Sequence, residues 1–181
     1  MNKLETLAKL KELLELPVET EWVELKHAQE DFPFDKIGKY FSAISNETNL
    51  NDKECGWLVF GVDDKNRNIV GSAYRAHGKH DLDSLKKEVA DKTTNRITFV
   101  EISELEKDGK RIIMFKIPPA PQGMPVAWEG HYYGREGESL AALSPQEYEA
   151  IRNQAKPVWS AQICDGASVF DLDANAIFKA R

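Results

Sequence analysis

The feature that most constrains the fold is a nearly continuous apolar run, WLVFGV, at residues 57–62. A run of this length is too short to span a membrane, and it has no polar side to present to solvent. It is typical of a central strand that is covered on both faces. Turn-forming residues follow at Asp63, Asp64 and Asn66, and residues 68–72 are predicted to return as the second strand of a hairpin. The run therefore predicts a sheet with layers packed against both sides.

Two helices and a strand are predicted ahead of this run. Leucines at helical spacing predict an amphipathic helix over residues 4–16, which Pro17 ends. Side chains alternate between polar and apolar over residues 21–26, which predicts a short strand. Apolar residues recur at helical spacing over residues 34–47, and the polar stretch at residues 46–56 predicts a loop before the central strand.

The second half of the chain predicts two hairpins between two further helices. Asp81 is placed to cap the first of these helices. Each hairpin consists of two β-rich runs joined through an acidic residue and a glycine: residues 97–105 with 111–117, and residues 126–128 with 131–135. Ser144 and Glu147 form a capping box around Pro145, so the last helix should run to about residue 155.

The order of these elements predicts an α+β domain with a mixed β-sheet and packed helices. We expect the domain to span residues 17–155, preceded by an N-terminal helix at residues 1–16. The character of the sequence changes over residues 156–181, where apolar side chains are scattered among small and polar ones. We expect this stretch to be a C-terminal extension that continues into a longer protein.

The composition is that of a globular chain with an acidic balance. The formal net charge is −6 over 181 residues, which argues against nucleic-acid binding over the whole surface but does not exclude a local basic patch. Cys55 and Cys164 are too few and too isolated for a disulfide framework or a zinc site, which favours a cytoplasmic location. No signal-peptide pattern and no apolar run of membrane length is present, so no membrane association is expected.

Four carboxylates near the predicted strands are candidate catalytic or metal-binding residues: Glu19, Glu24, Asp63 and Asp64. Ligands of open α/β sheets bind beyond strand ends, and Mg²⁺ or Mn²⁺ is held there by carboxylates, waters and phosphate oxygens. Converging carboxylates would therefore suit hydrolysis of a phosphodiester. Glu19 and Glu24 face opposite ways on a regular strand, as do the two neighbouring aspartates, so surface charges and a turn pair are the alternative interpretation.

Two basic residues are candidates for contact with nucleic acid. Lys26 shares a strand face with Glu24, so it would either touch a phosphate or hold the carboxylate. Arg135 follows Tyr132 and Tyr133, and arginine beside aromatic rings is a usual combination for phosphate and base contact. The alternative for Arg135 is a hairpin whose tyrosines pack and whose arginine is solvated.

A small basic loop supplies two further candidates, Arg75 and Lys79. His77 and His80 lie in the same loop, but two histidines without a third ligand are a weak metal motif. The loop would provide the local positive charge that the chain as a whole lacks. The alternative is an ordinary solvated loop.

Several short strings, in this order, resemble the Schlafen/AlbA-like domain family: ETEWVELK (residues 19–26), YFSAISNE (40–47), GWLVFGVDD (56–64), GHYYGREGES (130–139) and LSPQEYEAI (143–151). The family pattern has a glutamate four residues ahead of a Glu-x-Lys string, a helix ending in Ala-x-x-Asn, and a strand ending in Gly-Val-Asp-Asp. The resemblance covers roughly residues 17–155. It implies an AlbA/Schlafen-like fold for this part of the chain.

The resemblance implies two functions. In many bacterial members the domain is the N-terminal part of a longer transcriptional regulator and is described as DNA-binding, so the preferred function is binding of DNA or RNA without catalysis. In other members a related pair of lobes is a metal-dependent endonuclease acting on structured RNA such as tRNA. Its two glutamates and aspartate match Glu19, Glu24 and Asp63, with Asp64 as runner-up, and Mg²⁺ or Mn²⁺ would be the metal. A single lobe would need to form a homodimer to build a comparable groove.

One further function class and one ligand remain to be considered. A protein-interaction or oligomerisation module is the third alternative, favoured by the acidic charge and the leucines of the first helix. ATP is not expected as a ligand, because the sequence has no G-x-x-x-x-G-K-[ST] string to cradle its phosphates.

Overall fold

The computed structural model describes residues 2–16, 20–29, 32–76, 82–137 and 139–154. The helices are α1 (Lys3–Glu15), α2 (Phe34–Leu50), α3 (Leu82–Ala90) and α4 (Pro145–Asn153). The strands are β1 (Val23–Lys26), β2 (Gly56–Phe60), β3 (Glu101–Lys107), β4 (Lys110–Ile117), β5 (Ala127–Trp128), β6 (His131–Glu136) and β7 (Ser139–Ala142). In the described part of the chain, no helix is long and apolar enough to cross a membrane.

The larger sheet has four strands in the order β1-β2-β4-β3. Strand β1 runs parallel to β2, whereas the other two pairings are antiparallel, so the sheet is mixed as predicted. All five residues of β2 are buried, which confirms that the apolar run forms a central strand. Strand β1 has only β2 as a neighbour and therefore forms one edge of the sheet.

Each face of the larger sheet is covered by a different layer. On one face, Trp57 and Val59 of β2 pack with Leu25 of β1 and with Leu10 and Leu13 of α1. On the other face the core contains apolar side chains of β2, α2 and α3, among them Leu58, Phe60, Phe41 and Leu85. Since full burial of one such side chain contributes roughly 1.5–3 kcal/mol, both layers are needed to hold β2 in the centre.

The smaller sheet, in the order β5-β6-β7, is fastened to α2 by polar side chains. The Asn46 side chain donates to the carbonyls of Val126 (3.0 Å) and Tyr133 (2.8 Å) and accepts from the Val126 amide (2.8 Å). The Ser42 hydroxyl accepts from the Tyr133 amide at 3.1 Å. The predicted loop over residues 46–56 is wrong at its start, because these polar residues face inward and α2 continues to Leu50.

Both predicted hairpins are present. Asp108 and Gly109 join β3 to β4 with φ angles of 54° and 71°, and Glu129 and Gly130 join β5 to β6 with 48° and 83°. Two successive positive φ angles are the signature of the two-residue turns that match the twist of paired strands. Strand β3 begins at Glu101, later than the predicted residue 97, and a short 3-10 turn at Thr94–Arg96 precedes it.

The predicted return at residues 68–72 is confirmed in part, because the chain runs back antiparallel to the end of β2 but forms no regular strand. An isolated bridge between Val62 and Ile69, and a bond from the Asp63 amide to the Asn68 carbonyl, connect this stretch to the end of β2. The amides of Val70 and Gly71 both donate to the Gly61 carbonyl, so the chain folds over itself there. Strand β4 already occupies the edge of β2 that a hairpin partner would need.

The capping box predicted at the start of α4 is confirmed. Ser144 and Glu147 make the reciprocal bonds of a capping box at the start of α4. Asn2 and Glu5 make another at the start of α1. Asp81, the predicted cap of α3, and residues 156–181 lie outside the described residues.

Candidate functional site

A groove of about 460 Å³ runs along the edge of β1. The end of α1, strand β1, the turn after β2 and the β6–β7 hairpin all contribute to its walls. Its charged lining comprises four cationic side chains and two carboxylates: Lys26, Lys65, Arg67, Arg135, Glu24 and Asp64. We call this feature the β1 groove. It concentrates positive charge in a chain whose overall charge is negative.

Glu24 forms the floor of the groove. It is only 5% exposed, and a carboxylate at that depth is stable only when it is paired. One oxygen accepts from the guanidinium of Arg135, whose side chain is 3% exposed. The other oxygen lies 2.6 Å from Nζ of Lys26. Two cations from opposite sides therefore compensate the charge of Glu24.

Lys26 connects the buried pair to the mouth of the groove. Its ammonium lies 3.5 Å from the Asp64 carboxylate and 5.6 Å from the centroid of the Tyr40 ring. Burial acts to lower the pKa of Lys26, but the neighbouring Glu24 carboxylate outweighs it and raises the pKa above its ordinary value. Lys26 is therefore a cation at neutral pH, and 22% of its side chain is exposed.

Helix α2 holds the backbone of Arg135 in place. The Arg135 amide donates to Glu47 Oε1 at 3.0 Å, and Glu47 is 2% exposed. Burial raises the pKa of Glu47 to about 7, and the carboxylates of Glu21 and Glu147 add to this effect. The sequence patterns did not single out Glu47 as a site residue, because it lies where the predicted helix and the predicted loop overlap.

The two aspartates after β2 have different surroundings. One oxygen of Asp63 accepts from the amides of Lys65 (3.0 Å) and Asn66 (2.9 Å), and the other lies 3.2 Å from the imidazole of His27. These backbone bonds lower the pKa of Asp63. Asp63 therefore shapes the turn that carries the groove cations, whereas its neighbour Asp64 lines the groove itself.

The same turn presents two cations that sequence reasoning did not identify, Lys65 and Arg67. Lys65 is exposed at the rim of the groove. Arg67 donates to the carbonyls of Leu14 and Leu16, which ties the turn to the end of α1. The fold of the turn brings both side chains to the groove, and no local sequence pattern indicates this location.

The described residues do not by themselves fit Mg²⁺ or Mn²⁺. Among them, no three side chains of the His, Cys, Asp and Glu types are grouped closely enough to hold a metal ion. Both oxygens of Glu24 already face cations, and Asp63 bonds to its own turn. Glu19 lies outside the described residues. The predicted catalytic and metal set of Glu19, Glu24 and Asp63 stays a prediction.

The basic loop is only partly described. Arg75 makes a two-pronged ion pair with Glu88 of α3, at 3.0 Å and 2.7 Å, and does not line the β1 groove. Lys79, together with His77 and His80, lies outside the described residues. From the sequence-predicted candidates the structure thus brings together four residues, Glu24, Lys26, Asp64 and Arg135, and it places Arg75 elsewhere.

A solved structure shares this fold. The DIP2311 protein from Corynebacterium diphtheriae superposes with a TM-score of 0.58 at 18% identity, covering 98% of this chain. The match covers 33% of that protein, so this chain spans about a third of its length. The N-terminal domain of a RecG-related protein from Nitrosomonas europaea gives a TM-score of 0.43 at 20% identity, covering 77% of this chain and 92% of that domain.

Sequence comparison identifies the family directly. No curated protein matches the chain at a significant level. The family model described as Schlafen, AlbA_2 matches residues 19–144, which include β1, α2, β2 and the β5–β6–β7 sheet. This range contains every described residue that lines the β1 groove except Leu13 and Leu16. A match over more than half of the sequence shows that the chain belongs to the Schlafen AlbA_2 family.

Proposed function

We propose that the chain binds nucleic acid by laying the phosphate backbone in the β1 groove. The observation that carries this proposal is the charge of the groove: four cationic side chains against two carboxylates, in a chain with a net charge of −6. Phosphate contacts supply most of the affinity of proteins for nucleic acid, and they require a local concentration of lysine and arginine. Membership of the Schlafen AlbA_2 family supports the same role.

Three of the groove cations divide into two roles in this proposal. Lys65 is exposed and Lys26 is partly exposed, so these side chains reach phosphate without rearrangement. Arg135 is enclosed with Glu24 and holds the floor of the groove in position rather than meeting phosphate itself. If the Arg135 guanidinium moved away to contact phosphate, the Glu24 carboxylate would be left buried without this partner. The arrangement in which Arg135 stays paired with Glu24 is therefore the more stable one.

The proposal extends to the biological setting. We propose a DNA-binding module of a longer cytoplasmic protein that controls transcription, acting as a homodimer so that two grooves face one target. The length of the DIP2311 protein, of which the match covers a third, supports a modular use of this fold.

Reversing the charge of Lys65 tests the proposal. Lys65→Glu is expected to weaken binding of a labelled oligonucleotide at least about tenfold at low salt, because it replaces an attraction to phosphate with a repulsion. Fluorescence anisotropy over roughly 50 to 200 mM salt measures this. The slope of log affinity against log salt should become shallower by about one, because the variant neutralises one phosphate fewer.

Lys87→Glu is the matched control. Lys87 is an exposed lysine on α3, outside the groove, and its reversal changes the net charge by the same amount. We expect this variant to bind as the parent does. Equal weakening by both variants would contradict a site in the groove, and no binding by the parent at low salt would contradict the function.

A further inference from the structure

Two lysine–tyrosine pairs lie beside the β1 groove. Nζ of Lys26 lies 5.6 Å from the ring centroid of Tyr40, and Nζ of Lys39 lies 5.9 Å from that of Tyr133. Lys39 and Tyr40 are consecutive residues of α2, so the two pairs adjoin. Tyr133 also stands two residues from Arg135 on β6, on the same face of the strand. The pairs therefore lie next to two residues of the groove, Lys26 and Arg135.

The four side chains are held at the surface rather than in the core. Both tyrosines are partly buried against the edge of the core, and the lysine side chains are 22% and 32% exposed. Burial, together with the Glu24 carboxylate, raises the pKa of Tyr40, so its hydroxyl remains neutral and does not repel phosphate. The Tyr133 amide donates to the Ser42 hydroxyl of α2, which fixes the backbone that carries the ring.

This arrangement matches the repeating unit of an unpaired strand. Each nucleotide carries one anionic phosphate and one flat base, and each pair carries one ammonium and one aromatic ring. Any of the bases can stack on a tyrosine ring, because every base has a π face. In a duplex those faces are already stacked on neighbouring base pairs and only the base edges are open in the grooves. Rings at this position therefore favour single strands.

We propose that the two lysine–tyrosine pairs bind consecutive unpaired nucleotides, so that the β1 groove prefers single-stranded to double-stranded nucleic acid. The inference rests on the proposed function, because it takes the groove as the track of the phosphate backbone. It adds to that function a preference for single-stranded targets. The alternative, in which each lysine simply rests on its ring at the surface, predicts no preference for single strands.

Replacing a ring tests the inference. Tyr133→Leu is expected to weaken binding of a single-stranded oligonucleotide about tenfold, within the roughly 5- to 150-fold range of losing one stacked base. Tyr133→Phe should bind as the parent does, because it keeps the ring. The same sequence annealed into a duplex should bind the parent more weakly, and Tyr133→Leu should leave that affinity unchanged.

Tyr132→Leu serves as the control. Tyr132 is the neighbouring residue on β6, but its ring packs against Tyr148 at 5.0 Å instead of lying beside the groove. This variant should keep single-strand affinity, and thermal melting of each variant shows whether it is folded. If the duplex binds as tightly as the single strand and Tyr133→Leu changes nothing, while Lys65→Glu still weakens binding, the inference fails and the proposed function stands. If neither form binds, both fail.

Discussion

Replacing Arg135 by methionine is expected to lower the free energy of unfolding by about 3 kcal/mol. The Arg135 guanidinium and the Glu24 carboxylate form an ion pair with side-chain exposures of 3% and 6%. Methionine fills much of the same space but leaves the carboxylate without its buried partner, so that Lys26 is the remaining one of its two cationic partners among the described residues. Denaturant unfolding at neutral pH, compared between the parent and the variant, gives the difference.

A surface pair provides the comparison. Arg96 lies 2.6 Å from Asp91, with exposures of 66% and 45%, so Arg96→Met should change the unfolding free energy by less than about 1 kcal/mol. The double variant Glu24→Gln with Arg135→Met should recover part of the stability that the single variant loses, because no charge is then left uncompensated. If Arg135→Met has no larger effect than Arg96→Met, the pair does not hold the groove floor.

The second large effect concerns Glu47 and pH. The pKa of Glu47 is raised by burial from 4.5 to about 7 in the folded chain. Between these values the folded state keeps a proton that the unfolded state has released, so stability falls as pH rises through this window. The decrease is complete above about pH 7 and amounts to at most about 3 kcal/mol.

Glu47→Gln removes this titration. The glutamine carbonyl can still accept from the Arg135 amide, as Glu47 does now. The variant should therefore be more stable than the parent at about pH 8 and nearly equal to it below about pH 4.5. Thermal unfolding of both proteins across this range measures the difference.

Glu149→Gln tests whether the effect belongs to the buried position. Glu149 is exposed on α4, so its replacement should not change how stability depends on pH. A stability difference between Glu47→Gln and the parent that stays constant with pH would contradict the raised pKa.

The parts of the fold that depend on neighbours in sequence were predictable. Strand β2 follows from its unbroken apolar run, and both hairpins follow from an acidic residue and a glycine that accept positive φ angles. Alternation along β1 correctly separated Leu25 from the face that Glu24 and Lys26 share.

The parts that depend on distant contacts were not predictable. Asn46 looks like a loop residue until Val126 and Tyr133 offer it buried backbone partners. The cations at Lys65 and Arg67 reach the groove only because the turn after β2 folds beside the end of α1. Polar residues that complete the hydrogen bonding of another segment carry no periodic signal, so sequence patterns assign them to loops.

We propose that nucleic acid binds in the β1 groove. Amide chemical-shift mapping of the isotope-labelled chain, titrated with a single-stranded oligonucleotide, tests it most directly. The largest shifts are predicted in β1, in the turn at residues 64–67 and around Tyr133 and Arg135. Shifts confined to Arg75 and α3, or an unchanged spectrum at low salt, would contradict it.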